Sequence, residues 1–286
     1  FAAHTDRIRL GSAVVVAAYN HPIPVAGQAA LVDLYSGGRL EFGIGSGAYQ
    51  WEFDRMKPGL EQQQAYRYVQ EMIPAVKALW QGDYTHEGEF WQFPMTTSVP
   101  KPVQRPHPPL WVAARSPVTF DFAARNDCHI MSWALARPVS EVQIYLDRFE
   151  KALKDNNVSA RPIFATMRQT AVYARPDDAD PYLDALITKS GRFENLFQNL
   201  ADVRDGFPAP VDLKQISTRS EFDRETLRTN LMFGTPTEVI DKLIAYDRLG
   251  VDHFIYSASY GLDMALQKQS LKLFINEVMP AFINGT

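Results

Sequence analysis

The chain is short of cysteine, of long apolar runs and of positive charge, and each shortage excludes something. One cysteine, Cys128, stands among 286 residues. No disulfide can form within the chain, and a cysteine-built metal centre is argued against as well. A lone thiol fits a reducing, cytoplasmic setting. No apolar run reaches the roughly 20 residues that cross a bilayer, so no membrane partner is expected. Lys and Arg total 29 against 33 Asp and Glu, a formal charge of −4. Nucleic acid and anionic membrane surfaces select clustered positive charge, and this balance speaks against both. The opening FAAHTDRIRL has neither the basic nor the apolar region of a secretory signal and does not start with Met. The sequence is therefore expected to begin inside a domain.

What is present is a globular composition: 46% hydrophobic, 12% aromatic and 22% charged residues. That is enough apolar mass for a sizeable core. The run RIRLGSAVVVAA is β-branched and predicts a buried strand from Ile8 to Val16. After His21-Pro22, Val25, Ala29 and Val32 recur at helical spacing until Gly37-Gly38 stops them. Leu40 to Ile44 reads as the next strand. A helix from about Glu61 to Leu79 follows, with Pro74 expected to kink or break it. YTHEGEFWQF predicts a hairpin turning near Gly88. Pro94 to Pro109 is too long for a plain βα loop. Insertions are therefore placed near residues 83–108 and, across a polar and irregular stretch, 177–230. Further strands are predicted at Leu110–Ala114, His129–Trp133, Ile163–Ala174 and His253–Ser257. Helices are expected to open at Pro117, to run from Val139 to Asn156, and to follow Gly234-Thr235-Pro236. A last one carries Leu271, Phe274, Ile275 and Val278 and ends at Pro280. Strand and helix alternate six times, which predicts an α/β fold with a parallel sheet covered by helices. Six units suit an open doubly wound sheet or six-eighths of a closed barrel.

Two segments carry candidate chemistry. In FGIGSGAYQWEF, Gly43, Gly45 and Ala48 satisfy the spacing of a dinucleotide-binding turn directly after a strand. The aromatic residues and Pro58-Gly59 that follow do not continue as a clean helix, and no acidic ribose ligand is clearly offered downstream. The preferred reading is a glycine-rich strand end, with Gly45, Ser46 and Gly47 letting something flat approach the backbone. In LWVAARSPVTFDFAAR, a strand ends in Ala113-Ala114. Arg115, Ser116 and the helix start at Pro117 then make an anion site suited to phosphate. The alternative is that Ser116 is only an N-cap and Arg115 a solvated charge. His21, His86, His129 and His253 hold no usual ligand spacing, so no metal is expected and structural roles are. Trp133 ends the strand HIMSW, either as a core aromatic or facing a pocket at the carboxyl end of the strand.

These segments together resemble one family. HPIPVAGQAALVDLYSGGRLEFGIGSGAYQWEF is similar to the third-to-fourth strand region of the bacterial luciferase-like flavin monooxygenases. PPLWVAARSPVTFDFAAR is similar to their phosphate-binding fifth strand and helix. GTPTEVIDKLIAYDRLGVDHFIY is similar to their penultimate helix and last strand, and VMPAF to their usual end. The resemblance implies a single (β/α)₈ TIM-barrel domain over residues 1–286, with the first two β/α units missing from this chain, and a homodimer. It implies reduced FMN at the carboxyl mouth, supplied by a separate NAD(P)H-dependent flavin reductase, and monooxygenation of a small organic substrate with O₂. A deazaflavin-dependent hydride-transfer dehydrogenase and a non-catalytic flavin-binding protein are the alternatives. Carried over by position, Ala13-Val14 falls where a non-prolyl cis peptide lies beneath the flavin ring. Ser46 stands where an arginine meets the phosphate, a charge Arg115 would restore. Ser116 and Thr119 lie on the phosphate-holding helix start, and Val118 stands where a hydroxyl is common. The principal catalytic histidine belongs to the second strand, outside this chain, which leaves His21 as the candidate within it.

Overall fold

The computed structural model describes residues 1–198, 203–208, 222–258 and 260–283. The fold is α/β, with parallel strands. By its contacts the chain divides into two units, Phe1–Ile130 with Ala152–Pro162, and Met131–Lys151 with Ile163–Thr286.

In the first unit, β1 (Leu10–Gly11) and β2 (Val15–Val16) both run along β3 (Leu40–Gly45), Leu10 opposite Leu40 and Val15 opposite Ile44. β3 in turn pairs with β6 (Leu110–Ala113), Phe42 opposite Leu110, and all three pairings are parallel. The single strand expected over Ile8–Val16 is thus two short pieces, and Ile8 is exposed. The break has a local cause. The Ser12 hydroxyl donates to the Gly43 carbonyl and accepts from the Gly43 N–H, both at 2.9 Å, so a side chain takes the ladder positions of β3 that a neighbouring backbone would fill.

α1 (Pro22–Tyr35) starts with Pro22 in its first turn and buries Val25, Ala26, Ala29 and Ala30. It ends in two residues of positive φ, Gly37 and Gly38, which only glycine adopts without cost. The small residues of α1 serve close packing on α3 (Tyr66–Gln81), where the Trp80 indole donates to the Ala26 carbonyl at 2.9 Å. α3 is one continuous helix through Pro74, contrary to the expected kink. Met72, Ile73, Ala75 and Val76 around the proline are all buried, and their packing outweighs one missing N–H. The helix also begins five residues later than read, after a 3₁₀ turn at Gln62–Gln64. The hairpin is present as β4 (Tyr84–Glu87) and β5 (Gln92–Thr96). The proline-rich connection that follows is pinned by the fully buried Asp33, which accepts from Val103 N, Gln104 N and Gln104 Nε2 at 2.7–3.0 Å. α2 (Gln50–Met56) and α4 (Pro117–Arg125) follow the carboxyl ends of β3 and β6. Cys128 is buried just after α4, and burial pushes its thiol up to about 12.

β7 (His129–Trp133) and α5 (Val139–Asp155) are divided between the units after Ile130 and Lys151. The spine of the second unit is β8 (Phe164–Val172), which neighbours β7. After it come α6 (Asp180–Gln198), the short antiparallel pair β9 (Val203–Arg204) and β10 (Phe207–Pro208), and α7 (Arg224–Asn230). Next are β11 (Met232–Gly234), α8 (Pro236–Leu249), β12 (His253–Ser257) and α9 (Met264–Leu273). β12 pairs with β8 in parallel along Ala165–Gln169, and β11 does so along Thr170–Val172. β11 was hidden in the sequence because its three residues close a polar, irregular stretch. Thr235 and Glu238 cap α8 reciprocally, as the Gly-Thr-Pro start implied. Pro280 does not end the last helix. A π turn, Phe274–Val278, follows α9, and Pro280 opens one further helical turn. Of the inserted region, residues 199–202 and 209–221 lie outside the described residues. Where described, it packs Tyr182, Leu183 and Leu186 of α6 against Tyr173, Leu227, Phe233 and Tyr260.

Candidate functional site

The glycines at the end of β3 explain the first half of the site. The Ala13–Val14 peptide is cis, as the resemblance implied. A Cβ built on Gly45 would lie 2.7 Å from Val14 Cγ2 and 3.6 Å from Ala113 Cβ. Val14, Gly45 and Ala113, three residues singled out from separate parts of the sequence, therefore meet. Gly45 is glycine because nothing larger fits that meeting point. Gly47 has φ +84°, and a Cβ there would meet the Phe53 ring at 2.9 Å. Its carbonyl accepts from Gln62 Nε2 at 2.9 Å and from the Ser46 hydroxyl at 3.3 Å. The turn after β3 is thus held open and small by backbone conformation and by a glutamine that sequence reading did not single out.

The second half begins where β6 ends. Ala113 is exposed, Ala114 buried, and Arg115, Ser116, Pro117 and Val118 are exposed in succession before the buried Thr119. Ser116 is the N-cap of α4, accepting from Thr119 N at 3.4 Å, with the two hydroxyls 2.9 Å apart. The capping role expected as the alternative is therefore real. It does not exhaust the site, since the Arg115 side chain and the exposed helix start stand beside it. The positive end of α4, two hydroxyls and a guanidinium form a donor set that suits a phosphate. Val118 offers no hydroxyl and is largely exposed.

The aromatic residues around this segment are held neutral. Burial and the neighbouring Glu52 push the Tyr49 phenol up to about 12, against the pull of Arg115. Burial and Glu52 push Tyr19 likewise to about 12. Glu52 itself is raised by burial. Tyr66, whose hydroxyl lies 3.5 Å from the Val118 carbonyl, is held well above the ordinary phenol range, mainly by burial. These phenols are neutral near pH 7, and the buried Tyr19 hydroxyl has no hydrogen-bond partner among the described residues. None of them was marked in the sequence; the dense YQWEF run was the available signal.

His21 is the N-cap of α1. Its Nδ1 accepts from Ile23 N at 3.3 Å, and its ring lies 5.6 Å from that of Phe93. Burial, then the nearby His86, lowers its pKa, which keeps Nδ1 free of a proton and able to accept. The cap accounts for this residue, and the chemistry expected of it finds no support here.

Trp133 ends β7 in the second unit. Its ring meets Phe193 of α6 edge-on at 5.6 Å, and its buried indole nitrogen has no hydrogen-bond partner. In the same unit Gln169 of β8 is buried with its Oε1 unpartnered. Arg168 beside it is fully buried, its Nε donating to Tyr246 Oη at 2.7 Å and its Nη1 to the Leu135 carbonyl at 2.8 Å. The adjacent Arg168 and Gln169 in the middle of a buried strand are the signal the sequence offers for this pair.

Comparison with known proteins bears on the family. The family model described as luciferase-like monooxygenase matches residues 1–253. The flavin-dependent trigonelline monooxygenase, oxygenase component, of Acinetobacter baylyi is 40% identical over 97% of this chain and 77% of its own length. The FMNH₂-dependent dimethylsulfone monooxygenase of Pseudomonas putida is 26% identical over 87% of the chain and 69% of its own. The crystal structure of the monooxygenase RslO1 from Streptomyces bottropensis superposes with a TM-score of 0.79 at 23% identity, covering 98% of this chain and 80% of that one, a likeness of fold.

Proposed function

The chain belongs to the luciferase-like monooxygenase family, and from that premise we propose that it is the oxygenase component of a two-component system, receiving reduced FMN from a separate NAD(P)H-dependent reductase. Bound reduced FMN supplies the electrons with which O₂ is activated for transfer of one oxygen atom to a small organic substrate, the other leaving as water. The protein's own task is to bind, orient and keep water out. Ala13 and Val14 lie under the flavin ring, with Gly45, Ser46 and Gly47 beside it. Ala113, Ala114, Arg115, Ser116, Val118 and Thr119 surround the phosphate. The observation that carries this reading is the meeting of Val14, Gly45 and Ala113, a floor of small residues closed by the Val14 and Ala113 side chains over Gly45, two residues from the Arg115 donor set. The substrate class follows the trigonelline relative: a small aromatic carboxylate, of which trigonelline, an N-methylated pyridinium carboxylate, is the first to try.

In this reading the parallel strands belong to a (β/α)₈ barrel forming a single domain with insertions at 83–108 and 177–230. The protein works in the cytoplasm; among the described residues no helix is long and apolar enough to cross a membrane. It forms a homodimer through the α1 region. The small residues of α1 are used in packing within the chain, so the exposed Leu31, Leu34 and Tyr35 are the contact.

The test is a titration with reduced and oxidised FMN, riboflavin and a deazaflavin coenzyme, followed by turnover with measurement of product against hydrogen peroxide. FMN is expected to bind well above riboflavin. Arg115→Ala is expected to weaken FMN by roughly one to two decades, the worth of a charged hydrogen bond. Equal affinity for riboflavin and FMN would remove the phosphate site, and selective binding of the deazaflavin would replace oxygenation with hydride transfer.

A further inference from the structure

The first unit holds a carboxylate beside the flavin floor that the FMN reading does not use. The end of β2, the turn after β3 and α2 are packed into one place. Val16 of β2 pairs with Gly45 of β3. A Cβ on Gly47 would lie 3.2 Å from Val16 Cγ1 and 2.9 Å from the Phe53 ring. That ring in turn lies 5.0 Å from the ring of Tyr19, which closes the short turn after β2. Lys57, at the end of α2, reaches back to the Ala18 carbonyl at 3.4 Å. Glu52 is the residue before Phe53, and its backbone N–H donates to the Tyr49 carbonyl at 3.1 Å. Tyr19, Tyr49 and Glu52 are therefore gathered at the carboxyl ends of β2 and β3. The Glu52 charge raises the pKa of both phenols, so both stand in its field.

Glu52 is half-buried, and no hydrogen bond or ion pair holds its carboxylate among the described residues. The cations of its own helix and its C-cap are committed elsewhere. Arg55 stacks on Trp51, its guanidinium carbon 3.6 Å from the ring centroid, and donates to the Trp51 carbonyl at 2.8 Å. Lys57 stands over the Tyr68 ring at 4.1 Å. The Tyr19 hydroxyl is buried and has no partner among the described residues either. Buried polar groups are nearly always paired, so this one asks for a ligand. Burial raises the Glu52 pKa, and an arriving cation would restore its preference for charge. One carboxylate is too poor a set for a divalent metal. With aromatic faces beside it, it suits a cation whose charge is spread over an organic ring and which has no N–H groups to satisfy.

We propose that Glu52, with Tyr19 and Tyr49, forms a substrate subsite beside the flavin floor, and that it takes the positive nitrogen of an N-alkylated heteroaromatic ring. The Glu52 carboxylate faces the charge. The phenol rings lie against the alkylated nitrogen, and the Tyr19 oxygen accepts the weak C–H donors of the N-alkyl group. A neutral ring of the same shape gains none of these attractions. This rests on the monooxygenase reading and specifies which residues select the substrate's nitrogen.

The experiment is calorimetric binding, without turnover, at about pH 8, where an unmethylated pyridine nitrogen carries no charge. The probes are trigonelline, 1-methylnicotinamide and N-methylpyridinium, each compared with its unmethylated counterpart: nicotinate, nicotinamide and pyridine. The methylated cations are expected to bind at least about tenfold more tightly. Glu52→Gln, which keeps the shape and removes the charge, is expected to abolish that difference. Tyr19→Phe, which keeps the ring and removes the hydroxyl, is expected to weaken the methylated member of each pair alone, by roughly two- to threefold. A thermal melt of each variant reports that it is folded. Cations that bind no better than their neutral counterparts, a Glu52→Gln variant that still discriminates, or a Tyr19→Phe variant that weakens both members alike would overturn the site as drawn. Oxygenation with reduced FMN is measured separately. A chain that selects the cations but oxygenates nothing supports this site and refutes the monooxygenase reading. A chain that oxygenates other compounds while ignoring the cations does the reverse.

Discussion

Glu71 of α3 and His86 of β4 meet at 2.8 Å, Oε1 to Nε2, and the same carboxylate accepts the backbone N–H groups of Glu89, Phe90 and Trp91 at 3.0–3.2 Å. One side chain thus closes the hairpin onto the helix. Burial alone would raise the Glu71 pKa, but the hydrogen bonds from His86, Phe90 and Trp91 hold it below the ordinary glutamate value. The folded state therefore binds this proton more weakly than the unfolded chain. The resulting stability is fully present above the unfolded value of 4.5 and is lost as pH falls through the lower folded value. Glu71→Gln is expected to cost about 1–3 kcal/mol at pH 7, measured by denaturant unfolding. The gap to wild type should shrink as the pH is lowered below 4.5; a gap independent of pH would show that the charge does not matter.

Gly88 lies under the same carboxylate. A Cβ there would sit 1.9 Å from Glu71 Oε1, a distance no rearrangement of the alanine itself relieves. Gly88→Ala is expected to displace the carboxylate and lose stability comparable to Glu71→Gln. In the double variant the two losses should not add, because they remove one interaction. Additive losses would argue that Gly88 serves only its own turn.

Gly45→Ala tests the flavin floor. Its Cβ would meet Val14 Cγ2 at 2.7 Å. The expected result is a loss of FMN affinity of about tenfold or more, larger than any accompanying drop in melting temperature explains, since a shift of 1.4 kcal/mol is already a decade. Fluorescence titration beside a thermal melt reads both. Wild-type affinity in this variant would place the ring elsewhere.

How much of this was legible beforehand follows from particular residues. Pro117, Thr235 and the run HIMSW announced their elements because proline at a helix start, a capping box and a short run with apolar residues at alternate spacing are local signals. Gly45 and Arg115 stood out because strand-end glycines and a cation before a helix are chemistry written in adjacent letters. Pro74 misled because its effect on α3 depends on packing from elsewhere. Ser12 misled because its bond to Gly43 joins residues 31 apart. The burial of Arg168 escaped for the same reason, since the Tyr246 hydroxyl that its guanidinium donates to lies 78 residues away.

Lys242 of α8 offers a test at alkaline pH. Its ammonium donates to the carbonyls of Arg228, Leu231 and Phe233 at 2.5–2.9 Å, tying α7 and β11 to α8. Burial lowers its pKa to about 8 from the ordinary 10.5, with Glu238 opposing. Between those values the unfolded chain holds the proton more firmly than the folded one, so the lysine's contribution to stability grows as pH rises across the window. The difference in unfolding free energy between wild type and Lys242→Met should therefore widen from pH 8 to 10.5. A difference that narrows would mean that the three carbonyls outweigh burial.

Cys128 has a practical consequence. Its thiol is buried and its pKa is pushed up to about 12, so almost no thiolate exists near neutrality and none of it is within reach of a reagent. Oxygenases of this kind release hydrogen peroxide whenever turnover misfires, and peroxide attacks thiolates first. A sole thiol sealed in this way survives the enzyme's own by-product. It is also a built-in alarm: a maleimide dye that ignores the native protein and labels it at the rate of opening would report, one molecule at a time, when the first unit comes apart.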